Sequence, residues 1–238
     1  MKLKYRRILL KMSGEVLAGS RSVGLDGDRI EALAQELREV HGHGIQLGLV
    51  LGGGNIFRGQ TGSTRGIDRV TGDHMGMLAT VINSLAVQDA LARLAVPALV
   101  MTAIRMTQIA EPFAGRTAIE QLESGNIVIM AGGTGNPFFT TDTAGVLRAM
   151  EIGAEVLLKG TKVDGVYDSD PAKNPGAVRY QRLTYDEALG RDLRVMDSTA
   201  FSLSRDNDLP IIVFDINAPG ALLRIVAGEE VGTMVGKG

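Results

Sequence analysis

The chain contains no cysteine, so disulfides, thiolate metal sites and thiol nucleophiles are excluded. It has no tryptophan, and aromatic residues make up only 4 % of it, which leaves Val, Ile, Leu, Ala and Met to build the core. Histidine occurs only as His41, His43 and His74, none in an HExxH arrangement, which argues against a zinc hydrolase. Neither sign of charge dominates. A formal net charge of −2 gives no basic field to hold a nucleic-acid backbone, so strong nucleic-acid binding is not expected. The opening MKLKYRRILLKMSG has an apolar run too short and too soon interrupted for a signal peptide. No stretch reads as a membrane span, and the expected compartment is the cytoplasm.

Apolar residues are plentiful instead: 45 % of 238 residues is enough for one large α/β domain or two tightly joined lobes. Glycine is abundant too, and its 31 residues fall in clusters rather than at a fixed repeat, which points to special backbone turns.

Short apolar runs alternate with helical patterns along the chain. The expected strands are Arg7–Met12, Gln46–Leu51, Ala98–Met101, Ile127–Met130, Glu155–Leu158 and Ile211–Phe214. The expected helices are Asp28–Val40, Asp73–Leu94, Thr117–Glu123, Thr141–Met150, Tyr185–Leu189, Asp197–Arg205 and Pro219–Val226. Thr184 and Glu187 fit a capping box, and Pro219 fits the first position of the last helix. Asp73 at the head of its helix has a plain reading as an N-terminal cap. Alternation of this kind predicts an open, mostly parallel sheet sandwiched between helices, with ligands beyond the carboxyl ends of the strands. Residues 161–182, richer in Asp, Lys and Pro, read as an exposed excursion.

Four segments could carry chemistry. Lys11-Met12-Ser13-Gly14 closes the first strand and could set an ammonium and free N–H groups beside a phosphate. Its plain reading is a turn with Lys11 solvated. Gly52-Gly53-Gly54-Asn55-Ile56-Phe57-Arg58-Gly59 lets backbone approach a ligand closely, with Arg58 as a phosphate fork; the alternative is a flexible loop with a surface arginine. Thr134-Gly135-Asn136-Pro137-Phe138-Phe139-Thr140-Thr141-Asp142 combines hydroxyls, an amide, two aromatics and a helix start, as a base edge and a phosphate would need. It also reads as an Asn-Pro turn before a capped helix, with Phe138 or Phe139 in the core. The stretch from Lys159 to Asp170 gathers basic, hydroxyl, aromatic and acidic groups just after a strand, and reads equally as a polar hairpin. There is no GxxxxGK(S/T) loop, no GxGxxG after the first strand and no protein-kinase signature, so phosphoryl transfer here would need another fold.

Together, RILLKMSGE, LGLVLGGGNIFRG, RVTGDHMGMLATVINSLA, IMAGGTGNPFFTTDTA, LLKGTKVDGVYDSDPAKNP and LPIIVFDINAPGAL resemble the amino acid kinase superfamily, and within it the bacterial UMP kinases. The resemblance spans the whole chain in one order, and TGNPFFTTD with GDHMGMLAT carries most of its specificity. It implies a single domain over 1–238 with an N-terminal lobe, about 1–150, for UMP and a C-terminal lobe, about 151–238, for ATP. The implied reaction moves the γ-phosphoryl group of ATP onto UMP in pyrimidine nucleotide biosynthesis, with Mg²⁺ carried as Mg-ATP and no direct metal ligand from the protein.

Site residues follow from the same resemblance. Lys11, Met12, Ser13 and Gly14 would hold ATP phosphates, with Gly54 and Arg58 near that side. Thr161, Tyr167 and Asp170 would line the ATP nucleoside pocket. Gly53 and Arg58 would hold the UMP phosphate, and Asp73 its ribose. Thr134, Gly135, Asn136, Pro137, Phe138, Phe139, Thr140 and Thr141 would bind the uracil and α-phosphate. Lys159, Asp142 and Asp197, with Lys11 and Arg58, are the candidates for transition-state charge and for orienting lysine or magnesium. The resemblance further implies a homohexamer built from dimers, UTP as feedback inhibitor and often GTP as activator. On the long helix, Gln88, Asp89 and Ala92 with Arg93 as the only nearby cation argue for weak or absent GTP activation.

Two other readings compete. A relative phosphorylating a carboxylate or carbamate would need a pocket for a small acid, which TGNPFFTT does not suit. A silent nucleotide sensor that binds a partner or DNA would not need Lys11, Arg58 and Asp142 together.

Overall fold

A computed structural model describes residues 3–21, 23–57, 66–191, 193 and 195–238. The strands are β1 (Arg7–Met12), β2 (Gln46–Leu51), β3 (Ala98–Thr102), β4 (Glu111–Pro112), β5 (Ile127–Ala131), β6 (Val156–Thr161), β7 (Arg182–Thr184), β8 (Ile211–Asp215) and β9 (Thr233–Gly236). They form one nine-stranded sheet in the order β4-β3-β5-β2-β1-β6-β8-β9-β7. The described pairings are parallel except β8 with β9. The central strands are buried on both faces and therefore read as mainly apolar runs, interrupted by Lys11 in β1 and Gly48 in β2, and the expected bounds of both coincide with the observed ones.

Helices cover both faces: α1 (Gly27–Gly42), α2 (Arg69–Arg93), α3 (Gly115–Glu123), α4 (Thr141–Glu151), α5 (Tyr185–Gly190), α6 (Ser198–Asp206) and α7 (Ala221–Val226). One apolar layer joins α1, α2 and α7 to the sheet through Leu33, Leu37, Val87 and Ile225. The other joins α3 to α6 through Leu122, Val146, Ala188 and Phe201. Along β1 the side chains alternate between them, Ile8, Leu10 and Met12 to the first and Leu9 to the second. The chain passes from β1 to β2 on one side, while β6 lies against the other side of β1. The crevice beyond the carboxyl end of β1 is therefore the switch point at which such sheets bind ligands.

Several expectations shift. α2 begins at Arg69, not Asp73, because Asp68 caps it: its Oδ1 accepts from Val70 N at 2.9 Å and Thr71 N at 3.3 Å. The first turn carries little apolar pattern, so periodicity could not find it. α7 begins at Ala221 behind Gly220, whose φ of 68° breaks the chain direction, so Pro219 stands outside the helix. The short strands β4, β7 and β9 were not expected. The capping box of Thr184 and Glu187 is present at α5.

The expectation that no stretch reads as a membrane span needs correction. By length and composition α2 could cross a bilayer, but half of its most apolar window is buried in the fold. Its inner face carries Thr80, Asn83 and Ser84, all buried, while Leu78 and Ile82 stand about half exposed on the outside. Thr80 and Asn83 on this face reach the glycine turns at Gly132 and Gly52.

Candidate active site

Lys11 and Lys159 pair in register on neighbouring strands β1 and β6, so their side chains leave the same face of the sheet. Both are buried, which overturns the solvated reading of Lys11. Asp142, in the first turn of α4, lies between them. Its Oδ2 accepts from Lys159 Nζ at 2.7 Å, and its Oδ1 stands 2.6 Å from Lys11 Nζ. The latter contact meets the distance of an ion pair without the angle of a hydrogen bond. Lys159 Nζ also donates to the carbonyl of Val195.

The electrostatics of this triad are uneven. Burial pushes Lys159 down to about 8; Asp142 opposes that shift and the like charge of Lys11 adds to it. Burial alone would raise the Asp142 carboxyl, but two lysines outweigh it and hold the group below its ordinary value. Burial dominates at Lys159, with the Lys11 charge adding to it, whereas at Asp142 the two ammoniums outweigh burial. The site therefore carries a net positive charge when all three groups are ionised.

Gly145 explains how Lys11 fits. It lies inside α4, where glycine is unfavourable, and a Cβ there would come within 3.2 Å of Lys11 Cγ. Asp197 caps α6 by accepting from Ala200 N at 2.8 Å. Its oxygens also take the hydroxyls of Thr140 and, at 2.9 Å, Thr143. Thr140 itself caps α4. Asp197 thus ties the head of α4, and with it Asp142, to the head of α6.

Beside the lysines, the two glycine turns are held from beneath. Ser13 caps the short turn Gly14–Val16. A Cβ at Gly14 would fall 2.2 Å from Asn55 Oδ1 and 2.5 Å from Gly52 O, so only glycine fits. Asn55 and Asn83 exchange amide hydrogen bonds of 3.0 and 2.7 Å, and Asn83 Nδ2 also donates to Gly52 O at 2.6 Å. Thr80 Oγ1 accepts from Gly132 N at 2.8 Å. Met12 is sealed in the core, and its carbonyl accepts from Gly52 N at 2.8 Å. Arg58 lies outside the described residues.

A pocket of roughly 530 Å³ opens between these turns, lined by Gly53, Gly54, Asp73, Thr134, Phe139, Thr140 and Thr141 among others. Asp73 is not a cap: one turn into α2, its Oδ2 accepts from Phe138 N at 2.7 Å and from Arg69 Nε at 2.8 Å. Phe138 has a φ of 73°, a strained conformation for a bulky residue. It and Phe139 are exposed, so neither belongs to the core. Gly135 and Asn136 complete the turn by Gly135 N to Gly132 O at 3.0 Å and Asn136 N to Thr134 Oγ1 at 3.1 Å, and Pro137 follows.

On the other side of the lysines, a cleft lined by Asp142, Leu193, Val195, Asp197 and Phe201 shares Leu193 and Val195 with an open hollow of about 1000 Å³ that has Tyr167, Asp168, Asp170 and Arg191 on its walls. Tyr167 Oη donates to Asp164 Oδ1 at 2.6 Å, and Asp170 Oδ1 accepts from Ala172 N at 3.0 Å. Thr161 does not line this cavity; its hydroxyl donates to Val163 O at 2.6 Å within the turn after β6. A further cavity of about 470 Å³, beside Lys4 and Arg182, lies at the opposite ends of the strands and away from the lysine pair.

Sequence reasoning missed Asn55, Thr80, Asn83, Thr143, Gly145 and Arg148. A signal was present for some of them: Thr80, Asn83 and Ser84 interrupt one face of an otherwise apolar helix, and Gly145 breaks the interior of another.

The lysine pair, its shared carboxylate and the glycine turns stand together at the switch point of the sheet, and the sequence has no P-loop. The chain belongs to the amino acid kinase family, whose model matches residues 6–215. Within the family it groups with the uridylate kinases. It is 57 % identical over 235 residues to the uridylate kinase of Legionella pneumophila strain Paris, covering 99 % of this chain and 95 % of that protein. It is 58 % identical over 233 residues to the uridylate kinase of Xanthomonas oryzae pv. oryzae, covering 98 % and 97 %. Among solved structures, the UMP kinase from Bacillus anthracis superposes with a TM-score of 0.95 at 40 % identity, covering 98 % of this chain and 96 % of that one.

Proposed function

We propose that this chain transfers the γ-phosphoryl group of ATP to UMP, giving ADP and UDP. The observation that carries the reading is the pair Lys11 and Lys159 on Asp142, buried between two ligand-sized hollows at the carboxyl ends of β1 and β6. Phosphoryl transfer needs alignment and charge neutralisation more than a protein nucleophile, and a paired ammonium site supplies both.

In this reading UMP occupies the pocket of Gly53, Asp73 and Thr134–Thr141. Asp73 takes a ribose hydroxyl, and the head of α4 receives its phosphate. ATP lies along the Tyr167–Asp170 side, with its phosphates reaching Lys11, Ser13 and Gly14. Lys11 and Lys159 face the transferred group. Asp142 orients both, and Asp197 holds Asp142 in place through Thr140 and Thr143. Arg58 completes the phosphate contacts. The N-terminal lobe then serves UMP and the C-terminal lobe ATP.

Mg²⁺ would enter on the ATP phosphates. Asp142 and Asp197 are already engaged by lysines, hydroxyls and an amide, which fits a cation carried by the nucleotide with several of its waters.

The exposed Leu78 and Ile82, with the partly exposed Met75 on the same side of α2, support assembly through this helix into the dimers of a hexamer. Light scattering that finds only a 25 kDa species at micromolar concentration would reject assembly. UTP, which shares the uridine read by the acceptor pocket, is the natural feedback inhibitor. Weak GTP activation is supported by Arg93, which is already paired with Asp89.

The deciding experiment is ADP release from Mg-ATP with UMP, compared with CMP, acetylglutamate and carbamate. UMP should be turned over far faster than the others. Equal or faster turnover of an acid, or none with any acceptor, would sink the proposal.

A further inference from the structure

Arg148 lies in α4, two turns beyond Asp142, and its side chain is 6 % exposed. A charge so placed is costly unless its partners are well arranged. Its Nη1 donates to Glu151 Oε2 at 2.5 Å, and its guanidinium carbon lies 4.0 Å from the centre of the Phe113 ring. Its Nη2 donates to the carbonyl of Gly133 at 3.1 Å, and its buried Nε has no hydrogen-bond partner. The fork is therefore committed to one carboxylate, one ring face and one main-chain carbonyl.

That carbonyl belongs to the wall of the acceptor pocket. Gly132 and Gly133 both have positive φ, 78° and 60°, so several peptide orientations are open to this turn. Thr80 holds Gly132 by its N–H, and Arg148 holds Gly133 by its C=O. The described chain contains no cis peptide, so the N–H of Thr134, in the same peptide plane, points opposite to the carbonyl that Arg148 grips. Gly133 and Thr134 line the pocket and Arg148 does not.

We propose that Arg148 is a positioning residue for the acceptor pocket: it fixes the Gly133–Thr134 peptide so that the Thr134 N–H is presented to the nucleotide base. This inference rests on reading that pocket as the UMP site. Lysine cannot replace it, because a point ammonium lacks the planar fork that spans Glu151 and Gly133 while stacking on Phe113.

The test is Arg148→Lys, with Phe113→Leu as a milder variant that removes only part of the stacking surface should the first fail to fold. Two readouts are taken. In steady-state kinetics KM for UMP should rise about tenfold, while KM for ATP stays within about twofold. In the nucleotide-free protein, amide exchange at Gly132 and Gly135, whose N–H groups are held by Thr80 Oγ1 and Gly132 O, should quicken while exchange in β1 and β6 stays as in the parent. Unchanged KM for UMP, or equal shifts in both KM values with a lowered Tm, would overturn the proposal and leave Arg148 a structural ion pair. Unchanged exchange at Gly132 and Gly135 would overturn it too. The exchange readout needs no nucleotide, so its failure concerns Arg148 alone, whereas a parent protein that does not bind UMP overturns the reading of the pocket.

Discussion

Lys11 and Lys159 stand opposite one another in the β1–β6 register and share one carboxylate, Asp142. Two ammoniums on one acid leave positive charge at the switch point, where a phosphoryl group in transfer would be held.

Replacing Lys11 by alanine should therefore lower kcat by roughly 100-fold or more if its charge acts chiefly in the transition state. Asp142 would stay paired with Lys159, so the fold should survive. A folded Lys11→Ala protein with parental kcat would remove Lys11 from the chemistry.

The second lysine predicts a pH dependence with two opposite signs. With its pKa at about 8, Lys159 loses its charge in the folded protein as pH rises through 8. In the unfolded chain it stays protonated up to the ordinary lysine value of 10.5. Between those values the unfolded state binds more protons, so this group's contribution to stability rises with pH across the window. Activity should move the other way. kcat/KM for ATP, which reports the free enzyme, should fall above about pH 8, and kcat should fall only at higher pH because bound phosphates favour the charged lysine. Lys159→Gln should remove this limb from whatever activity remains; if the limb persists, another group causes it.

Asp73→Asn separates a nucleotide contact from a structural one. Asp68 already caps α2, so helix stability should not change through the cap. Asparagine keeps an acceptor for Phe138 N–H but loses the charge that a ribose hydroxyl and Arg69 meet. KM for UMP should rise by about tenfold, in line with roughly 1–3 kcal/mol for a hydrogen bond to a charged group, and KM for ATP should barely move. Parental KM for UMP would confine Asp73 to holding Phe138 and Arg69.

Gly145→Ala should trade activity for helix propensity. Alanine favours a helix interior over glycine by about 1 kcal/mol, yet its methyl would press on the Lys11 stem from 3.2 Å. The expected result is a Tm equal to or above the parent with kcat lowered several-fold. Full activity would mean that the stem yields without moving the ammonium.

The sheet was largely legible because β1, β2 and β5 are buried on both faces and their sequences are mainly apolar. β4, with two residues, and β7, with three, are too short to show a period. The start of α2 escaped because Asp68 and not apolar spacing determines it. At the site, the motifs located the glycine turns and the lysines by resemblance. They did not show that Lys11 is buried, which depends on Asp142 and Gly145 arriving from a distant helix. Nor did they show that Thr161 bonds within its own turn, since that depends on how the chain leaves β6.

The contact among Gly14, Asn55 and Asn83 constrains how this sequence can drift. A side chain at 14 collides with the amide of 55, and a change at 55 or 83 leaves the facing amide buried without its partner. Substitution at these sites has to be concerted. A library randomising them singly should return the starting residues, whereas joint randomisation of 55 and 83 should recover matched pairs.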